Sequence, residues 1–242
     1  MTASSIARLV DCSRTFTIGD NEVLAMQHID LGISAGEFTA LCGPSGSGKT
    51  TSLNVLGGLD SPNHGQVFLG DTELSSLSQK ERARLRLMEI GFVFQAYNLI
   101  PVLSARENVA FVLELQGKST SEALKAADVI LDDVGLSAQR DRRPHEMSGG
   151  QQQRVAVARA VVTEPKLVLA DEPTANLDSQ TAVQLLELFA RLNEERGVTL
   201  VFSTHDPRVM SRARRVVTLE DGKIVDDQTR AVKESAASES SA

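Results

Sequence analysis

Eight consecutive residues, Gly43-Pro44-Ser45-Gly46-Ser47-Gly48-Lys49-Thr50, carry the spacing G-x-x-x-x-G-K-[ST], which is suited to holding phosphate. The glycines let the backbone curl until consecutive N–H groups point at one anion. A helix opening behind the loop adds unpaired N–H groups and the positive end of its dipole. Lys49 can reach β- and γ-phosphates, and the Thr50 hydroxyl is placed to ligate a bridging Mg²⁺. The context fits: Phe38-Thr39-Ala40-Leu41-Cys42 reads as a buried strand, and residues 51–56 read as the first turns of a helix.

Two further stretches have types that could act on the same ligand. Asp171-Glu172 follow the apolar run Leu167-Val168-Leu169-Ala170, so two carboxylates stand at the C-terminal end of a buried strand, the edge where open α/β sheets bind ligands. Beside a bound nucleoside triphosphate, Asp171 would enter the Mg²⁺ shell and Glu172 would activate water. Without the phosphate loop the pair would read as a solvated acidic strand end. Ser148-Gly149-Gly150-Gln151 opens another helix, with Ser148 as N-cap and two glycines leaving the N–H groups unshielded. From spacing alone, this stretch reads as a plain capped helix.

The elements that must position these residues follow from periodicity and turn chemistry. Strands are expected over residues 6–10 and 24–33, with a turn at Ile18-Gly19-Asp20-Asn21 and Phe16 half-buried beside it. Further strands are expected at 66–70, 90–94, 167–170 and 199–203, and a hairpin at 216–219 and 224–225 across Asp221-Gly222. Helices are expected over 79–86, 104–115 and 179–196. Another opens at the capping box Ser119/Glu122 with Leu124, Ala127, Leu131 and Val134 on one face. Residues 96–103 are apolar but broken by Pro101, and read either as internal packing or as a dock for a partner. The run of helices makes residues 91–161 an expected helical insertion, and residues 229–242 an expected disordered polar tail.

Composition narrows the class. The 242 residues allow one large α/β domain, and no apolar run approaches a membrane span or a secretory signal. Cys12 and Cys42 are the only cysteines, with no C-x-x-C pair, which argues against zinc or a disulfide framework. A net charge of −7 argues against broad binding to nucleic acid.

In their order along the chain, residues 43–50, Gln95, Ser148–Gln151, Asp171–Glu172, Asn176-Leu177-Asp178 and His205 resemble the ATP-binding cassette of ABC transporters. The resemblance spans about residues 5–226 and implies a P-loop NTPase (RecA-like) α/β core with a mostly parallel sheet, an N-terminal antiparallel β subdomain and the helical insertion. It implies that Phe16 stacks on adenine, that residues 43–51 including Thr51 hold the phosphates of ATP, and that Thr50, Gln95 and Asp171 surround Mg²⁺. Glu172, His205 and Gln95 become the catalytic set. Ser148, Gly149, Gly150 and Gln151 would contact the γ-phosphate held by a second copy, and Asp178 would lie at the seam of that homodimer. Phe16 stands where tyrosine is commoner, Met147 replaces a leucine, and Ala175 stands where glycine or serine is common.

Gly91-Phe92-Val93-Phe94-Gln95, Asn98-Leu99-Ile100-Pro101 and Glu107-Asn108-Val109 resemble the lipoprotein-release and macrolide-exporter branch, the LolD/MacB type. That branch implies a separate integral-membrane permease of the FtsX/MacB-like kind, which would hold this chain at the cytoplasmic face of the inner membrane and move lipoprotein, lipid, peptide or drug. An FtsE-like ATPase that regulates cell-wall enzymes through a permease-shaped partner is the alternative.

Overall fold

The computed structural model describes residues 5–230. Its first elements are two long antiparallel strands, β1 (Ser5–Ile18) and β2 (Asn21–Ser34), closed across Gly19-Asp20 with Ile18 opposite Asn21. Both extend past the expected apolar runs, and residues 21–23, the added start of β2, are exposed. Register shifts near Leu9, Cys12 and Arg14 bend β1. There the Asp11 carboxylate faces His28 Nδ1 at 2.7 Å and His64 Nε2 at 3.0 Å. β4 (His64–Leu69) and the two-residue β5 (Thr72–Glu73) complete a sheet ordered β2-β1-β4-β5.

The second sheet holds β3 (Phe38–Cys42), β6 (Ile90–Val93), β7 (Leu167–Asp171), β8 (Thr199–Ser203), β9 (Arg215–Glu220) and β10 (Lys223–Thr229). Its order is β10-β9-β3-β8-β7-β6, and only the β10–β9 pair is antiparallel. β3 and β8 are buried at every position, as expected of parallel strands covered on both faces. One apolar layer, with Leu9, Met26, Leu41, Leu53, Leu56 and Val201, fills the space between the two sheets around α1 (Lys49–Leu56). The opposite layer is closed by helices, with Phe38, Phe189 and Phe202 at its centre.

The helices are α2 (Gln79–Glu89), α3 (Ala105–Leu115), α4 (Thr120–Asp133), α5 (Gly149–Val161), α6 (Ser179–Arg196) and α7 (Pro207–Arg212). Four of them open on the same reciprocal cap, in Ser78/Glu81, Ser104/Glu107, Ser119/Glu122 and Ser148/Gln151. The buried face of α4 is Ala123, Ala127, Ile130 and Leu131, with Val134 as C-cap. The expected Leu124 is only partly buried, so the stripe lies about one residue around the helix from the expected one.

Two expected boundaries move. Position 91 falls inside β6, a strand of the parallel sheet, so the helical excursion begins after Val93. Position 229 is still paired in β10, opposite Arg215, and residues 231–242 of the expected tail lie outside the described residues. Among the described residues no helix is long and apolar enough to cross a membrane.

Candidate functional site

The buried strand β3 delivers the chain directly into the glycine-rich loop, and α1 starts at Lys49. Gly48, the N-cap, sits in the left-handed region at φ 95°, and a Cβ there would overlap the Ala25 carbonyl oxygen. Gly48 supplies no side-chain cap, so the first N–H groups of α1 stay open to an anion. Lys49 is buried and its Nζ donates to Gly43 O at 2.9 Å and Pro44 O at 2.8 Å, which holds the ammonium over the curl of the loop. Ser47 Oγ is also buried there, with no partner among the described residues.

A cavity of about 590 Å³ opens over this loop. Its wall brings together Phe16, Val23, residues 43–51, Gln95, Glu172, Ala175 and His205, groups from both sheets and two loops. The size is that of a small-molecule site.

The two consecutive carboxylates serve one site because the strand ends between them. Neighbouring strand residues ordinarily point to opposite faces. Asp171 is the last residue of β7, and Glu172 then takes a left-handed conformation at φ 44°. That conformation is costly for a residue with a side chain and is typical of functional sites. Asp171 Oδ1 accepts from Thr50 Oγ1 at 2.9 Å, placing a hydroxyl and a carboxylate side by side at the start of α1. Hard oxygen donors of this kind, with phosphate oxygens and water, suit Mg²⁺. Glu172 Oε1 lies 2.8 Å from His205 Nδ1, while Oε2 is buried with no partner among the described residues.

The second expected anion site stands apart. Ser148, Gly149, Gly150 and Gln151 open α5 and do not line the cavity. Ser148 Oγ accepts from Gln151 N at 3.3 Å, and Ser148 N donates to Gln151 Oε1 at 3.0 Å. A Cβ on Gly150 would overlap the Thr181 methyl, so a larger residue here would force the Thr181 side chain, whose hydroxyl donates to Asp178 Oδ2, to move. Asp178 caps α6, accepting from Gln180 N and Thr181 N at 3.0 Å each. The Thr181 hydroxyl and N–H hold its carboxyl below the ordinary carboxylate range. Asp178 does not line the cavity either. The two regions are linked by hydrogen bonds, among them Asn176 Nδ2 donating to Gln95 O at 3.1 Å.

The positioning roles of several groups left no local signal in the sequence. Arg159 of α5 donates to Tyr97 O at 2.9 Å and Asn98 O at 2.5 Å, pinning two successive residues with positive φ just after Gln95. Buried Asn108 holds the next turn, with Nδ2 donating to the carbonyls of Ile100, Leu103 and Ser104. Asp206, beside His205, accepts from Thr174 Oγ1 at 3.0 Å and is gripped by Arg208, which ties the His205 segment to the loop after Glu172.

Comparison with known proteins bears on these residues. The ABC transporter family matches residues 26–175. The lipoprotein-releasing system ATP-binding protein LolD of Colwellia psychrerythraea is 43% identical over 221 residues, which are 91% of this chain and 86% of that protein. The macrolide export ATP-binding/permease protein MacB of Campylobacter jejuni is 45% identical over 210 residues. The match to MacB covers 87% of this chain but only 32% of that protein, so this chain spans about a third of the MacB relatives' length. Among solved structures, a dimeric post-hydrolysis state of the ATP-binding cassette MJ0796 bound to ADP and Pi superposes with a TM-score of 0.87 at 39% identity. That superposition covers 93% of this chain and 99% of the cassette.

Proposed function

This chain belongs to the ABC transporter family as an ATP-binding subunit of the LolD/MacB type, and on that footing we propose how its own residues bind ATP and hydrolyse it. The observation that carries the proposal is the single cavity joining Phe16, the glycine-rich loop, Gln95, Glu172 and His205, with Asp171 hydrogen-bonded to Thr50 at its edge. Phe16 offers a flat face to adenine. Residues 43–51 hold the phosphates through their backbone N–H groups, Pro44 having none, and through the Lys49 ammonium. Thr50, Asp171 and Gln95 are the groups that would surround Mg²⁺, which when bound offsets charge on the phosphate oxygens.

Glu172 is the general base. Its free, buried Oε2 is an acceptor for a proton from water, and Oε1 is oriented by His205. Closure by a second copy would bring Ser148, Gly149, Gly150 and Gln151 of that copy to the γ-phosphate, with Asp178 at the seam. The separation of α5's start from the cavity within one chain fits this shared-site arrangement.

The work of closure would pass to a separate permease of the FtsX/MacB-like kind, which would hold the chain at the cytoplasmic face of the membrane. A second cavity, about 460 Å³ and lined by Leu59, Leu87, Phe92, Ile100, Phe111 and Arg159 among others, is our candidate dock. It lies against the Arg159-pinned turn that follows Gln95, so a helix seated there would be stiffly connected to the catalytic cavity. The transported molecule, a lipoprotein, lipid, peptide or drug, would be bound by the permease. The reading is tested by Mg²⁺-dependent phosphate release from ATP. Wild type should turn over, Glu172→Gln should not, and a Glu172→Gln variant with wild-type turnover would refute it.

A further inference from the structure

Phe16 is the group least explained by the sequence around it, because it has no hydroxyl with which to anchor its ring. What fixes it lies behind it. The Arg14 guanidinium carbon sits 4.6 Å from the Phe16 ring centroid, a cation–π stack. Phe16 lines the nucleotide cavity and Arg14 does not. The guanidinium thus occupies one ring face from outside the cavity lining, which leaves the opposite face for a base.

The guanidinium is itself clamped. Arg14 Nε donates to Asp60 Oδ2 at 3.0 Å and Nη2 lies 3.0 Å from Asp60 Oδ1, a two-pronged pair whose side chains are 22% and 28% exposed. Asp60 Oδ1 also accepts from Ser61 N at 2.7 Å, and Asp60 N donates to Asn54 O of α1 at 3.2 Å. Continuous contacts thus run from the Phe16 ring through Arg14 and Asp60 to α1, the helix that carries Lys49 and Thr50 at its other end.

From this geometry we infer that Arg14, clamped by Asp60, is a positioning residue for the base of the nucleotide. It holds the Phe16 plane parallel to an incoming purine and at a set distance from the phosphate loop. An arginine suits this role because its guanidinium is planar, permanently charged and able to stack while both of its forks are engaged. A lysine can place a charge on the ring but cannot take up the planar, two-pronged geometry. The inference rests on the reading that adenine stacks on Phe16.

The test separates the base from the phosphates by comparing the affinity of ATP with that of inorganic tripolyphosphate, which has no base, by titration calorimetry. Arg14→Gln should weaken ATP by about two- to tenfold, the cost of re-ordering a ring no longer held in place, and leave tripolyphosphate unchanged. Arg14→Lys should recover part of the loss. Arg8, which stacks on Phe68 at 4.6 Å in the same sheet, provides the control: Arg8→Gln should alter neither ligand. Wild-type ATP affinity in Arg14→Gln, or an equal loss for both ligands, would overturn the role given to Arg14. Phe16→Ala identifies the other failure. If it leaves the ATP-to-tripolyphosphate ratio unchanged, adenine does not stack there, and the premise falls together with the inference.

Discussion

Glu172 and His205, 33 positions apart in sequence, meet at the cavity wall with Nδ1 and Oε1 2.8 Å apart. The pair is asymmetric: the histidine side chain is 72% exposed and the carboxylate only 16%. With Nδ1 donating to Oε1, Nε2 is the ring nitrogen left without this partner, and both residues line the cavity. Glu172→Gln keeps the shape and loses the proton acceptor. Turnover should fall by about 10²- to 10⁴-fold while ATP binding is retained. The variant should accumulate as an ATP-bound dimer, seen as a doubling of mass by light scattering with Mg–ATP. A monomer that still hydrolyses ATP would remove Glu172 from its role.

His205→Ala leaves Glu172 Oε1 without its orienting partner. A smaller fall in turnover is expected than for Glu172→Gln, with ATP affinity nearly unchanged, because His205 is not among the groups that hold the loop. The measurement is steady-state phosphate release at saturating ATP. If only the KM rises, His205 binds substrate rather than orienting the base.

Lys49 holds its ammonium with two loop carbonyls, at 2.9 and 2.8 Å. Phosphate oxygens would replace those acceptors with charged ones. A charge-assisted hydrogen bond contributes about 1.5–3 kcal/mol, so Lys49→Ala should weaken ATP by roughly 10- to 150-fold. The fold should survive, since α1 is packed through Leu53, Val55 and Leu56 rather than through Lys49. Calorimetry with unchanged ATP affinity would refute the phosphate-loop assignment.

How much of this could be read in the sequence depends on the distance over which each signal acts. The phosphate loop, the paired carboxylates after an apolar run and the Ser119/Glu122 cap are local patterns, and the structure places each on the expected element. The start and end of α6 and β8 were legible for the same reason. Local pattern marks Phe16 only as an aromatic beside a turn, and its proposed role and that of His205 enter only through resemblance to a family. Arg14 with Asp60 and Arg159 with Tyr97 lie 46 and 62 positions apart, and polar pairs at that separation leave no periodicity to detect. The long hairpin was underestimated because its polar end is half-exposed, where alternation fades. The short α7 was overlooked although Asp206-Pro207 is a legible N-cap and first turn.

Acid should loosen the helical part through its caps. The Ser104 N–H and hydroxyl both donate to the Glu107 carboxylate and hold its carboxyl below the ordinary 4.5. Ser119 lowers Glu122, and Ser78 lowers Glu81, in the same way. A carboxyl depressed by folding stabilises the protein above its unfolded value and ceases to do so as pH falls through its folded one. Melting temperature should therefore drop between about pH 5 and about pH 3, with little change from about pH 6 to about pH 8 from these groups. Glu107→Gln retains a cap at neutral pH but removes one titrating group, so its acid-induced drop should be smaller. An unchanged drop would show that these caps do not govern acid stability.

Residues 96–103, which read either as internal packing or as a dock, are divided by the structure. Leu99 packs against the helical core and Asn108 holds the backbone around Ile100, whereas Val102 is 71% exposed and Ile100 lines the second cavity. Leu99→Asp would therefore test packing more than docking. Phe111 is the better probe, being 37% exposed on α3 and part of the cavity wall. Phe111→Asp should leave the isolated subunit folded, because the side chain is already in contact with water, and should leave its ATP affinity near wild type. In a complex with the permease the new carboxylate would be buried against an apolar helix without a partner, at a cost of several kcal/mol. Co-purification with the permease should fall sharply, while Val129→Asp, a change at an exposed position of α4 outside that cavity, should have no effect. Wild-type yield of permease with Phe111→Asp would place the dock elsewhere. Loss of ATP binding by the isolated variant would instead show that Phe111 supports the fold.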